Sequence, residues 1–308
     1  ARLAEYLLPR KGLRWSLTAA CGLACGALLW LAWFATPPTE WWRLAGLLLL
    51  GAATGLLQSA TLQAVIPLYR YNRAATVNVA SVLFGLGCVA TALFVAMAYH
   101  YYTLTSLMIL LAVLPGLFAG VLSKHPHEAK GVATPAIWHI WRNLKDPLAV
   151  QLGLILLVQF ATEWSVAGWL PLFLTQRLGI SPASSLRYLA TYWLLVTLGR
   201  VVAQAILNRD VSHGKLLLGA GAGALLGAFI LTSTDNMFGV VSGLLFLSAS
   251  FGLVHPLVLD RISDRLPSLD PVYFHGIFSV AFPVALLAPA MLGYLASYTS
   301  IATVMYVP

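Results

Sequence analysis

A succession of apolar stretches, each about as long as a helix that crosses a bilayer, runs along most of this sequence. An α-helix needs about 20 apolar residues to cross a hydrocarbon core about 30 Å thick. Each stretch therefore predicts one transmembrane helix. The nine predicted spans cover residues 13–36, 41–68, 74–99, 103–123, 147–174, 184–208, 213–232, 236–259 and 271–298.

The composition places the chain in the class of polytopic helical membrane proteins. Of its 308 residues, 60% are hydrophobic and only 9% are charged, and its mean hydropathy is +0.84. In a typical soluble domain, about a quarter of the residues are charged. We therefore predict an all-α polytopic membrane protein.

The net charge of +8 reflects the orientation of the chain in the membrane and does not indicate a nucleic-acid partner. If residues 1–12 are cytoplasmic and the spans alternate, 14 basic residues fall on the cytoplasmic side and three on the other. This asymmetry follows the positive-inside rule. The three are Arg43, Arg177 and Arg187, while Arg200 lies inside a span.

Glu163 lies in the middle of a stretch that has no other charge between Asp146 and Arg177. An ionised carboxylate at the centre of a bilayer is unfavourable by a few kcal/mol or more. It has to face a water-filled cavity, pair with a cation or hold a proton. Gln159 and Thr162 lie on or near the same helix face. The position predicts a transporter, with Glu163 as a coupling or substrate-binding residue and Gln159 beside it.

An internal repeat relates the two halves of the chain. Residues 55–58 (Gly-Leu-Leu-Gln) match residues 252–255 (Gly-Leu-Val-His) at an offset of 197, which also places Asn78 on His275. A weaker match aligns residues 1–12 with 203–214. Repeats at a fixed offset indicate similar structural units. In transporters built from repeats, substrate binds near the midplane between them. Gln58, His255 and Asn78 are therefore predicted substrate-binding residues.

The longest polar stretch separates the halves. We predict an N-terminal half over residues 1–123, a cytoplasmic linker over 124–146 and a C-terminal half over 147–308. Within the linker, residues 136–145 alternate Trp138 and Trp141 with basic residues. Basic amphipathic helices with tryptophan lie along the membrane surface. The sequence thus predicts a surface helix in the linker.

The ends of the sequence and its cysteines carry two further expectations. The chain opens on Ala1 and ends as another apolar stretch begins, so we expect a longer protein with helices beyond both ends. Cys21, Cys25 and Cys88 all lie within predicted spans, without a disulfide or zinc pattern. No catalytic set, metal-ligand cluster or phosphate-binding glycine loop is visible. The sequence thus predicts neither an enzyme nor a cofactor.

Several motifs resemble those of one transporter family. They are residues 163–171 (Glu-Trp-Ser-Val-Ala-Gly-Trp-Leu-Pro), Trp193 with 198–200 (Leu-Gly-Arg), Arg73 with Asn78 and 84–87 (Phe-Gly-Leu-Gly), and Pro289 with 293–296 (Gly-Tyr-Leu-Ala). They resemble helices seven, eight, five and eleven of the fucose permease-like sugar:proton symporters of the major facilitator superfamily. The resemblance implies a two-half bundle with pseudo-two-fold symmetry, in which the nine spans are helices three to eleven.

Residues 1–12 resemble the family's cytoplasmic loop after helix two, but Ala1 and Glu5 replace its Gly and Asp. The resemblance implies a cytoplasmic gate, to which we assign Arg10, Lys11, Arg200 and Asp210. We expect Arg200 to pair with a loop acid, either Asp210 or Asp260.

These observations predict a secondary transporter that moves a small polar solute, a sugar, by alternating access in a bacterial inner membrane. Proton coupling through Glu163 is the expected mechanism, with Trp164 and Trp193 stacking on the sugar. Two alternatives stay open. One is an exporter of amphiphilic compounds, and the other is a transport-silent subunit that binds partners in a larger membrane complex.

Overall fold

The apolar segments form long α-helices in the computed structural model, which describes residues 2–34, 40–65, 73–124, 147–207, 212–265 and 287–306. No β-strand occurs within these ranges, and the all-α prediction is confirmed. The helices are α1 (Arg2–Trp33), α2 (Glu40–Val65), α3 (Arg73–Ala98), α4 (Leu104–Lys124), α5 (Pro147–Leu178), α6 (Pro182–Leu207), α7 (His213–Ser233), α8 (Met237–Arg265), α9 (Leu287–Ala296) and α10 (Ile301–Tyr306).

Helices α1 to α8 are each long and apolar enough to cross a membrane. They correspond in order to the first eight predicted spans. The ninth, 271–298, is described only from residue 287, where it contains α9. The predicted surface helix at 136–145 lies outside the described residues.

Gly12 interrupts α1 close to its start. Its φ of 82° and ψ of 163° are non-helical, so the chain bends there before the apolar span begins. A positive φ of this kind suits glycine, which has no Cβ to clash with the backbone. The break separates the short initial helix from the predicted transmembrane span.

The described helices pack into two units. In the first unit, α1 packs against both α2 and α4. Its core consists of small and aliphatic side chains, which let the helices approach closely. The buried members are Leu13, Leu17, Ala20, Leu56 and Ala60.

The second unit contains α3 together with α5 to α10. Helix α8 packs against α5, α6 and α7. Phe173, Tyr192, Trp193 and Phe251 are among the buried side chains of its main core. The boundaries between the two halves and the linker stay a prediction. In the structure, α3 belongs to the same unit as the later helices.

Candidate functional site

Glu163 and Arg200 form a buried ion pair in the second unit. Nη2 of Arg200 lies 2.8 Å from Oε1 of Glu163. Only 1% of Glu163 and 3% of Arg200 is exposed. Of the three environments that the sequence allows for Glu163, the structure has the one with a cationic partner.

Two neighbours complete the surroundings of Glu163. Gln159, one turn earlier in α5, donates from Nε2 to the second carboxylate oxygen at 2.9 Å and to the carbonyl of Phe251 at 3.0 Å. The hydroxyl of Tyr192 donates to the carbonyl of Glu163 at 3.0 Å. Both carboxylate oxygens therefore accept a hydrogen bond, which a buried charge requires.

The expectation that Arg200 pairs with a loop acid is wrong. Asp260 instead lies 2.7 Å from Nε2 of His213, and Asp210 is outside the described residues. Helical side chains point back towards the helix N-terminus. Arg200 lies near the C-terminal end of α6, so its side chain reaches back along α6 to Glu163. The side chains of Arg10 and Lys11 also lie outside the described part of the chain.

Helix α3 binds the other side of Arg200. Nη1 of Arg200 donates to the carbonyl of Ser81 at 3.0 Å. Asn78 donates from Nδ2 to the carbonyl of Arg200 at 3.3 Å and to Oε1 of Gln204 at 3.0 Å. Arg200 thus connects the carboxylate on α5 with the backbone of α3.

Three glycines let the helices that carry these groups approach one another. A Cβ on Gly252 would lie 2.5 Å from the carbonyl oxygen of Val196 and 2.7 Å from Cα of Gly199. A Cβ on Gly85 would lie 2.1 Å from Oγ1 of Thr197. Larger residues would therefore hold α8 and α3 away from α6, where Arg200 is located.

An aromatic cluster lies next to the ion pair. It consists of Phe84 on α3, Trp164 on α5 and Trp193 on α6, with ring centroids 5.6 to 6.2 Å apart. Trp193 is buried, Trp164 is half-buried and Phe84 is 49% exposed. The cluster therefore presents an accessible aromatic surface, and its member Trp164 directly follows Glu163 in the sequence.

The structure brings only some of the predicted site residues together. Glu163, Gln159, Asn78, Trp164 and Trp193 share the region around Arg200. His255 on α8 is also buried and lies within electrostatic range of Arg200, with its ring 5.6 Å from that of Phe160. Gln58 belongs to the first unit, where its side chain is exposed.

Sequence reasoning missed Ser81, Gln204 and Tyr192. Asn78, Ser81, Gly85 and Cys88 recur at spacings of three, four and three, which places them on one face of α3. This stripe of small and polar residues is the signal that identifies the packed face of α3. Tyr192 and Gln204 carry no such pattern.

No group of three or more His, Cys, Asp or Glu side chains that could hold a metal ion occurs in the described ranges. The three cysteines are free thiols. The candidate site in the described ranges consists of an ion pair, amides and aromatic rings.

Comparison with known proteins identifies the family. The model of the Major Facilitator Superfamily matches residues 2–286. The chain belongs to the Major Facilitator Superfamily. An MFS-type transporter of Yersinia pestis, described as uncharacterised, is 25% identical over 97% of this chain and 76% of its own length.

Solved superfamily structures share the fold. The E. coli fucose:proton symporter FucP superposes with a TM-score of 0.65 at 14% identity, over 99% of this chain and 82% of that chain. A D-xylose-proton symporter superposes with a TM-score of 0.60 at 17% identity, over 99% of this chain and 83% of that chain. The prediction of the major facilitator superfamily is confirmed, and the chain is a multi-pass membrane transporter and not an enzyme.

Proposed function

We propose that this transporter is a symporter that moves a sugar or a similar small polar solute together with protons, by alternating access. The observation that carries the proposal is the buried Glu163–Arg200 ion pair, held on both sides by polar contacts from α3 and α5. Sugar:proton symporters among the structural neighbours agree with this assignment.

Glu163 is the proposed proton-binding residue. An ionised carboxylate and Arg200 neutralise each other, whereas a protonated carboxyl leaves the buried guanidinium without its counter-charge. Because a guanidinium does not deprotonate in proteins, Arg200 must then find another acceptor or water. Proton binding at Glu163 would therefore change the stability of the contacts that Arg200 makes with α3.

Helix α3 is the element that would respond. Its contacts with α6 around the ion pair are Asn78 with Gln204, the Ser81 carbonyl with Arg200, and the Gly85 approach to Thr197. A ligand or proton shifts a conformational equilibrium only through a difference in binding between two states. Release of Arg200 from Glu163 supplies such a difference.

The solute would bind against the aromatic cluster. Aromatic faces pack against the apolar faces of sugar rings, while amides such as Gln159 and Asn78 both donate and accept hydrogen bonds. On the sequence repeat alone, we add Gln58 and His255 as substrate contacts. We keep Arg10, Lys11 and Asp210 as the proposed cytoplasmic gate and assign Arg200 to proton coupling instead. The proposed location is a bacterial cytoplasmic membrane.

Transport by the purified protein in proteoliposomes tests the proposal. A panel of sugars beginning with L-fucose and D-xylose is offered with and without an inward proton gradient. Glu163→Gln keeps size and hydrogen bonding but does not titrate. We expect it to abolish proton-driven accumulation while solute exchange continues, when both rates are normalised to folded protein.

Asp235→Asn is the matched control, because it removes the carboxylate of an exposed ion pair with Arg177. We expect wild-type accumulation in this variant. Wild-type accumulation in Glu163→Gln would contradict the coupling role, and loss of exchange together with accumulation would assign Glu163 to solute binding. Transport of amphiphilic compounds instead of sugars would favour an exporter, and absence of all transport would favour the subunit alternative.

A further inference from the structure

An apolar groove with a basic end runs between α1 and α4 in the first unit. Its volume is about 540 Å³, within the range of about 300–1,000 Å³ typical of small-molecule sites. Nine of its ten lining residues are uncharged, and Lys124 is the tenth. The lining residues are Cys25, Leu29, Ile109, Ala112, Val113, Gly116, Leu117, Gly120, Val121 and Lys124.

Small residues make the floor of this groove. Ala112, Gly116 and Gly120 recur every four residues on α4, and Lys124 continues the same row. A Cβ on Gly116 would lie 3.2 Å from Sγ of Cys25, so α1 and α4 are close there. At Gly120 nothing lies within 4 Å of that position, so the groove is open next to Lys124.

A second cation lies at the basic end. Arg14, near the start of the α1 span, donates from Nη2 to the carbonyl of Ser123, the residue before Lys124. Both Arg14 and Lys124 are exposed. A guanidinium has five N–H donors, so one bond to Ser123 leaves others for an anion. The charge distribution of the chain predicts that this end is cytoplasmic.

We propose that this groove binds an anionic phospholipid, with an acyl chain along the apolar floor and the phosphate at Lys124 and Arg14. The groove lining on α4 runs from Ile109 to Lys124, about 22 Å at 1.5 Å per residue. The hydrocarbon core is about 30 Å thick. The groove is thus long enough for an acyl chain that starts at the basic end and stops short of the opposite face, whereas another transmembrane helix would extend across both leaflets. Basic pockets between transmembrane helices bind anionic headgroups in this way.

Lipid binding to the purified full chain tests this site. Native mass spectrometry would measure binding of phosphatidylglycerol and phosphatidylcholine to wild-type protein and to Lys124→Gln, with Lys215→Gln in α7 as the control for an exposed lysine elsewhere. We expect wild-type protein to prefer phosphatidylglycerol. We expect Lys124→Gln to weaken its binding about fivefold, as for the loss of one basic contact near a membrane surface, and Lys215→Gln to have no effect.

A second variant blocks the apolar part without removing charge. Gly120→Leu places a side chain in the open groove and should reduce phosphatidylglycerol binding, whereas Gly219→Leu in α7, where nothing lies within 4 Å either, should not. Equal binding of both lipids to wild-type protein would overturn the proposal. So would equal effects of Lys124→Gln and Lys215→Gln, or a photocrosslink from Leu117 to a segment of the chain instead of to lipid.

Discussion

Nη2 of Arg200 lies 2.8 Å from Oε1 of Glu163, and the two side chains are 3% and 2% exposed. One residue belongs to α6 and the other to α5, so the pair links two transmembrane helices. Through the Ser81 carbonyl, the same guanidinium also contacts α3. The ion pair and its contact with Ser81 thus connect three helices of the second unit.

The contributions of Glu163 and Arg200 to the free energy of unfolding should be strongly coupled. Removing one partner of a buried pair costs about 3–5 kcal/mol, because it leaves an uncompensated charge. Glu163→Gln and Arg200→Gln should therefore each lower the midpoint of thermal unfolding, and the double variant should recover part of the loss. The exposed pair of Arg177 and Asp235 is the control, with an expected effect of about 0–1 kcal/mol. Simple additivity of the two single losses would contradict coupling between Glu163 and Arg200.

Gly252→Ala should disrupt the crossing of α6 and α8. The new methyl group would meet backbone atoms of Val196 and Gly199, which do not move independently of α6. Overpacking typically costs about 1–3 kcal/mol, and displacement of α6 would also move Arg200. The midpoint temperature of thermal unfolding and the rate of proton-driven uptake should both decrease. Gly221→Ala, which has nothing within 4 Å, should keep or raise stability, because alanine favours helix. Equal behaviour of the two variants would show that the close approach is dispensable.

Asn78 and Gln204 should show a measurable coupling energy. Their side chains are 3.0 Å apart and join α3 to α6. A neutral hydrogen bond contributes about 0.5–1.5 kcal/mol. A double-mutant cycle of Asn78→Ala and Gln204→Ala, followed by thermal unfolding, should give a coupling in this range. Thr91→Ala on α3 removes only a local bond to Gly87 and should show no coupling with Gln204. A coupling near zero for Asn78 and Gln204 would remove this contact from the proposed α3 response.

Trp164→Ala should raise the KM for the transported sugar with little change in maximal rate. Loss of one aromatic contact is worth about 0.5–1.5 kcal/mol, which corresponds to roughly a two- to tenfold change. Initial uptake rates across a range of sugar concentrations measure the effect. Trp41, which is 82% exposed, provides the matched tryptophan, and Trp41→Ala should leave KM unchanged. An unaltered KM in Trp164→Ala would exclude the ring from the solute site.

Much of the architecture follows from local sequence. The first eight apolar segments correspond to α1–α8 because a membrane requires every backbone polar group to bond within its own helix. Motifs around Glu163, Trp193 and Asn78 also pointed to the correct superfamily. Gln159 was found beside Glu163 because residues four apart share a helix face.

The partner of Arg200 was predicted incorrectly, and the reason is geometric. Asp210 and Asp260 lie at the same predicted cytoplasmic end as Arg200, whereas Glu163 is 37 residues away at the centre of another predicted span. The direction of the Arg200 side chain along α6 and the packing of α6 against α5 bring the two groups together. Neither is visible in residue spacing alone.

Local sequence specifies the helices of the first eight spans, the superfamily and the exceptional position of Glu163. These properties depend on apolar length and on periodicity within a single helix. Packing between helices brings Arg200 to Glu163 and places Ser81 and Gln204 beside them. Contacts between helices depend on crossing points set by small residues on different segments, so local sequence does not specify which distant side chains meet.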